Sequence, residues 1–133
     1  LSENKIIFDA SHLNVKGPLL GILSAHLQFP EKNIIVLACD MLEIEINTIK
    51  RLLGYFTNQS AICFSFQGKP EPLLGIYSSQ ALKQIYKLYY DGNLMKFSMM
   101  HVLELVNAEF IMLNESEFRA FKNYNSPTDL PTF

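Results

Sequence analysis

The sequence is short of charge, of cysteine and of long apolar runs. Charged side chains make up 18% of its 133 residues, and 11 basic groups stand against 13 acidic ones for a net charge of -2. That balance excludes broad binding of nucleic acid, which needs an excess of positive charge to displace counterions. No apolar run approaches the roughly 18 residues of a membrane span, and the opening LSENKIIFDA lacks a basic segment followed by a long apolar one. A soluble, cytoplasmic protein with no membrane partner is expected. Cys39 and Cys63 each follow apolar, strand-like residues, so buried free thiols are expected rather than a disulfide. Metal-binding cysteine spacing is absent.

Apolar residues are plentiful, at 49% of the chain. A chain of this length suits one domain, residues 1–133, and could bury about two thirds of its unfolded surface. KIIF (5–8) and IIVLA (34–38) are solidly apolar and β-branched, as expected of strands covered on both faces. Between them Pro18 suits the first position of a helix, and Leu19, Ile22 and Leu23 share one stripe of it. Ile46, Ile49, Leu53 and Phe56 form the next stripe, AICFSF (61–66) the next strand, and PLLGIYS (72–78) another. Leu82, Ile85, Tyr86 and Tyr89 share a helix face, as do Met99, Val102, Leu103 and Val106. DGN (91–93) separates these two helices. FIML (110–113) reads as a late strand. Ser126, Pro127 and Asp129 would then open a last short helical turn.

This alternation predicts an α/β fold: a Rossmann-like open, mostly parallel sheet with helices on both faces. Ligands of such sheets sit at the carboxyl ends of the strands. In NIIVLACDML (33–42) the apolar run stops at Asp40, which such a strand would carry out of the core to the crevice. A cap for the following segment is the competing explanation.

Three separated motifs resemble one family in order. GPLLGIL (17–23), VLACDM (36–41) and NYNSPTDL (123–130) look like the molybdenum cofactor guanylyltransferases. That family has a GPLAG-like turn, an apolar strand ending in a Cys-Asp or similar pair, and an Asn-x-Asn-Thr-Pro closing motif. EPLLGIYS (71–78) also fits its Pro-Leu strand after the substrate loop, and IIFD (6–9) its strand ending in aspartate. The likeness runs through essentially the whole chain.

The resemblance implies a fold of the nucleotide-diphospho-sugar transferase type and transfer of GMP from GTP to molybdopterin, releasing pyrophosphate. It assigns Mg2+ to Asp40 and gives Asp40 and Asn125 catalytic roles. Asp9, Gly17, Pro18, Leu19, Gly21 and Asp40 would bind nucleotide, and Asn123 and Asn125 the second substrate. Magnesium suits such work because it takes one or two protein oxygens and keeps the rest of its shell for water and phosphate. The family's Gly-rich phosphate loop, which grips nucleotide phosphates, has no match here. The chain is therefore expected to be the C-terminal part of the family's domain, truncated at its N-terminus, with self-association or a missing segment covering bared apolar edges. A CTP-using relative and a non-catalytic or partner-binding remnant are the alternatives.

Other residues carry less. His26 continues the Leu19, Ile22, Leu23 stripe and reads as a core-edge histidine, while His12 and His101 lack a spaced metal-binding partner. Tyr86, Tyr89 and Tyr90 read as packing rather than a base-stacking platform. Lys69 reads as a solvated loop lysine between two strands on the substrate side. A phosphoacceptor receiver domain also ends a strand in aspartate, but it needs an acidic pair where Asp9 stands alone, and GPLLG has no place in it.

Overall fold

A computed structural model describes residues 17–37 and 46–119. Helix α1 (Pro18–Gln28) leads into strand β1 (Ile34–Leu37), followed by α2 (Ile46–Tyr55), β2 (Ala61–Phe66), β3 (Lys69–Tyr77), α3 (Ser79–Tyr90), α4 (Met99–Leu105) and β4 (Glu109–Met112). Residues 115–119 are helical.

Local chemistry sets these boundaries. Ser78 and Ser98 cap α3 and α4, their hydroxyls accepting from the N–H groups of Ala81 and His101 at 3.0 and 3.2 Å. Both helices stop in the same way. After α3, Gly92 takes a φ of 76° while the Asn93 N–H donates to Leu88 O at 2.7 Å. After α4, Asn107 takes a φ of 54° while the Ala108 N–H donates to Leu103 O at 3.0 Å. Glycine and asparagine tolerate this left-handed step, and the returning N–H groups satisfy carbonyls that the helix end leaves bare.

The sheet order is β1-β3-β2-β4. β4 runs parallel to β2, whereas β3 is antiparallel to both β1 and β2. Three strands therefore point one way, as expected, and β3 alone runs back. The two-residue turn Gln67-Gly68, with φ of 51° and 79°, is responsible, since it closes a hairpin with Phe66 opposite Lys69.

Helices cover both faces. Leu19, Leu23, Leu82, Ile85 and Val102 pack with Cys63 and Tyr77 on one side, while Leu52 of α2 packs with Ile62, Phe64, Leu74, Ile76 and Ile111 on the other. Cys63 is a buried free thiol, as expected. Burial of such residues, at about 25 cal/mol per Å², is the main favourable term holding the layers together.

Several expectations need correction. IIVL is not covered on both faces: Ile34 and Val36 are half-buried, but Ile35 and Leu37 are 40% and 37% exposed. An unbroken apolar run does not itself distinguish an interior strand from one at the end of the sheet. In α2 the expected stripe holds in part: Ile49 and Phe56 pack against the core, but Leu52 and Thr48 are the buried residues, while Ile46 and Leu53 are 69% and 50% exposed. Tyr90 is 75% exposed, although Tyr86 and Tyr89 pack against the core as expected. The expected strand at 5–8 and the closing helical turn at 126–129 lie outside the described residues.

Candidate functional site

β1, β2 and β4 all end on the same side of the sheet, the carboxyl edge where open sheets of this kind bind their ligands. β1 delivers the chain to Leu37, three positions before Asp40. The connection from Gln28 to Ile34 is short, so α1 runs back along β1 and brings Gly17 toward the carboxyl edge.

Gly17 adopts φ 76° and ψ -162°, and among the described residues no side chain caps the helix that follows it. L side chains rarely take that conformation, so the glycine is required by the turn and not by crowding. Pro18 occupies the first turn of α1, where its missing N–H leaves no hydrogen bond unmade. An uncapped helix start directs N–H groups outward and suits an anion. Gly21 is exposed on the same helix. Leu19 is 0% exposed in the core, as its place on the α1 stripe predicts, so it would meet a ligand through its backbone. Asp9, Asp40, Asn123 and Asn125 lie outside the described residues.

Beside the end of β1 stands an arm formed by the start of β3, which includes the first residues of the EPLLGIYS motif. Leu37 pairs with Leu74, and β3 continues past it as far as Lys69. Opposite β2 the register jumps, from Cys63 with Gly75 to Phe64 with Glu71, leaving Pro72, Leu73 and Leu74 as a bulge. Such bulges re-aim side chains and gather next to active sites. The Tyr77 hydroxyl donates to Pro72 O at 2.7 Å and holds the bulge in place. Burial pushes the Tyr77 hydroxyl and the Cys63 thiol upward, the thiol to about 12, so neither ionises near neutral pH.

Lys69 and Glu71 sit on this arm. Burial raises the Glu71 carboxyl above its ordinary value, with the Lys69 charge opposing the shift. Lys69 is exposed, as expected, but it opens a strand instead of lying within a loop. The signal for the arm was present in QGKPEP, where a Gln-Gly turn precedes an acid flanked by prolines.

A second cluster fixes the end of β4. Arg51 of α2 donates to Glu117 and, at 3.1 Å, to Met112 O. Glu117 and Asn114 exchange reciprocal hydrogen bonds with each other's backbone N–H, at 3.0 and 2.8 Å, which is a capping box for residues 115–119. The Arg51 guanidinium also lies 5.6 Å from the centre of the Phe64 ring. A depression of about 380 Å³ between α2 and β4, lined by Arg51, Tyr55, Gln59 and Ile62, leans toward the amino ends of the strands, away from the carboxyl edge.

No group of three or more His, Cys, Asp or Glu residues that could hold a metal occurs among the described residues. His26 is buried as expected, with Nδ1 unpartnered, and burial lowers its proton affinity. No helix among the described residues is long and apolar enough to cross a membrane.

Comparison with known proteins fits this geometry. A family model described as the MobA-like NTP transferase domain matches residues 3–105. A probable molybdenum cofactor guanylyltransferase of a Geobacillus species is 33% identical over 132 residues, covering 96% of this chain and 66% of the relative. One of the same name from Flavobacterium johnsoniae is 32% identical over 116 residues, covering 86% and 60%. The chain thus spans about two thirds or less of these relatives. Among solved structures, molybdopterin-guanine dinucleotide biosynthesis protein A from Archaeoglobus fulgidus aligns with a TM-score of 0.66 at 24% identity, covering 85% of this chain and 58% of that one. A protein of Aquifex aeolicus aligns with a TM-score of 0.67 at 19% identity, covering 81% and 56%. At those identities the two structures establish the shared α/β fold, and the family model with the sequence relatives establishes kinship: the chain belongs to the MobA-like NTP transferase family.

Proposed function

We propose that the protein works as a nucleotidyltransferase of molybdenum cofactor biosynthesis, moving the guanylyl group of GTP onto molybdopterin. An oxygen of the acceptor's terminal phosphate attacks the α-phosphorus of GTP. The bond from that phosphorus to the bridging oxygen of the β-phosphate breaks, and pyrophosphate leaves. The observation carrying this reading is that β1, in a sheet of this family's fold, ends at Leu37 on the carboxyl edge, three positions before Asp40 in the sequence, while α1 starts toward the same edge.

Each group has a physical task. Pro18 has no N–H and the Leu20 N–H already donates to Gly17 O at 3.1 Å, so the Leu19 N–H, with the positive end of the α1 dipole, would face a phosphate. Asp40 would hold Mg2+, as the family resemblance implies, a carboxylate being a suitable oxygen ligand for that ion. Bound there, the ion neutralises phosphate charge and helps align the reacting groups. Asn125, and Asn123 beside it, present amides that can donate to phosphate oxygens or accept from the acceptor. Positioning is the main contribution, because the attacking phosphate needs no strong base.

Calorimetric titration with GTP and with CTP, each with and without magnesium, tests the reading. Magnesium-dependent binding of GTP in preference to CTP is expected, weakened about a hundredfold in Asp40→Asn. CTP preference would move the protein to the cytidylyl branch, and binding of neither nucleotide would remove the catalytic assignment.

A further inference from the structure

Glu71 is a carboxylate that the reaction above leaves without a task. It lies where the bulge Pro72–Leu74 rejoins the hairpin, beyond Leu37 at the end of β1. It is half-buried, and among the described residues no hydrogen bond or ion pair engages it. A partly desolvated carboxylate with no hydrogen-bond partner among the described residues is a feature that stability alone disfavours.

The surroundings narrow what it could bind. Lys69 lies two positions before Glu71 on the same strand, so strand alternation puts both side chains on one face. Pro70 and Pro72 flank the acid, fixing φ at both positions and removing two N–H groups that could otherwise compete for it. The ammonium beside the carboxylate makes the pair a poor site for a cation, and the carboxylate makes it a poor site for a phosphate. A neutral heterocycle with adjacent donors and an acceptor matches both charges.

We propose that Glu71 and Lys69 recognise the 2-amino-4-oxo edge of a pyrimidine-type ring, Glu71 accepting from the ring N–H and the 2-amino group and Lys69 donating to the oxo oxygen. This inference rests on the proposed function, in which the pterin of the acceptor and the guanine of GTP both carry that edge. The pterin is the favoured occupant. The nucleotide turn belongs to α1 and the metal-binding aspartate follows β1, whereas the arm belongs to β3, the next strand inward in the sheet. Partial burial strengthens such recognition, since a carboxylate that has already lost part of its hydration gives up less on meeting the ring.

The test measures binding of free pterin by its fluorescence, against lumazine, which has oxo in place of the 2-amino group, and binding of GTP against ITP, which lacks the amino group. The variants are Glu71→Gln, Glu71→Asp and Lys69→Gln. For Glu71→Gln, pterin binding should weaken by roughly ten- to a hundredfold and the preference over lumazine should disappear, with GTP binding unchanged and the melting temperature equal or higher. Glu71→Asp, which keeps the charge on a shorter stem, should retain part of the preference. Loss of the GTP over ITP preference instead would assign the same edge recognition to the guanine. Unchanged discrimination in both pairs overturns the inference while leaving the proposed function standing. Glu71-dependent pterin binding without guanylyl transfer would remove the proposed function and keep the site. A fall in melting temperature of Glu71→Gln, with all ligands weakened equally, would assign Glu71 a structural role and overturn the inference.

Discussion

A β-carbon added to Gly75 would stand 2.5 Å from the carbonyl oxygen of Ile62 and 2.8 Å from Cys63 Cβ. β2 and β3 therefore approach so closely just before the bulge that only glycine fits. Gly75→Ala should destabilise the protein by about 2 kcal/mol, in the range typical of overpacked cores. A thermal melt should show a drop of several degrees, and an unchanged midpoint would mean that the strands can separate without loss.

Gly54 lies in α2 with nothing within 4 Å of the position an added Cβ would take. Gly54→Ala should raise stability by about 0.5–1 kcal/mol, because alanine restricts the unfolded chain and favours the helix. Urea titration checks this through the midpoint, with the slope unchanged.

Tyr77→Phe removes the hydroxyl that holds Pro72. Loss of that bond should lower stability by roughly 1–2 kcal/mol. It should also loosen the arm, so that any ligand dependence on Glu71 weakens in parallel. If binding holds while stability falls, the bulge keeps its shape without this bond.

Arg51→Ala leaves Glu117 with its side chain 6% exposed and without its cation. Arg51 is itself 33% exposed, so water can partly replace it, and a loss on the order of 2 kcal/mol is expected instead of the full penalty for a deeply buried pair. The double variant Arg51→Met with Glu117→Gln should recover part of it, as measured in a mutant cycle.

His26 supplies a pH dependence with a definite sign. Its folded proton affinity lies below the ordinary value of 6.5, first through burial and then through Lys83, with Glu31 opposing. The unfolded chain therefore binds the proton more readily. The stability His26 contributes is fully present above pH 6.5 and is lost as the pH falls below that value toward the depressed folded one. His26→Met should flatten the stability profile in that window and, by removing the unpartnered Nδ1, stabilise the protein by about 1 kcal/mol at pH 7. A slope that survives the substitution would have to come from another group.

Much of this architecture was legible because local pattern and tertiary environment agree. The Leu82, Ile85 stripe and the Met99, Val102, Leu103, Val106 stripe are buried as read, and DGN ends α3 because Gly92 alone must take a left-handed turn. The direction of β3 was hidden, since a strand's own residues look alike whether its neighbours run parallel or antiparallel. Only the Gln67-Gly68 turn carried that information. The phase of α2 was missed in part because Thr48 lies buried while Ile46 stands in solvent, so polarity misreported the buried side. Glu71 opens the EPLLGIYS motif, but the motif gives it no task, because its interest lies in a bulge that only the pairing register reveals.

The Gln67-Gly68 hairpin also bears on the order in which the molecule assembles. β2 and β3 meet after closing a loop of two residues, an event on the order of microseconds, whereas β4 reaches β2 only after α3 and α4 have been threaded between them. The arm bearing Lys69 and Glu71 is thus expected to belong to the earliest structure to form, which kinetic analysis of hairpin and β4 variants checks. Substitutions within the hairpin should chiefly slow folding, and those in β4 should chiefly hasten unfolding.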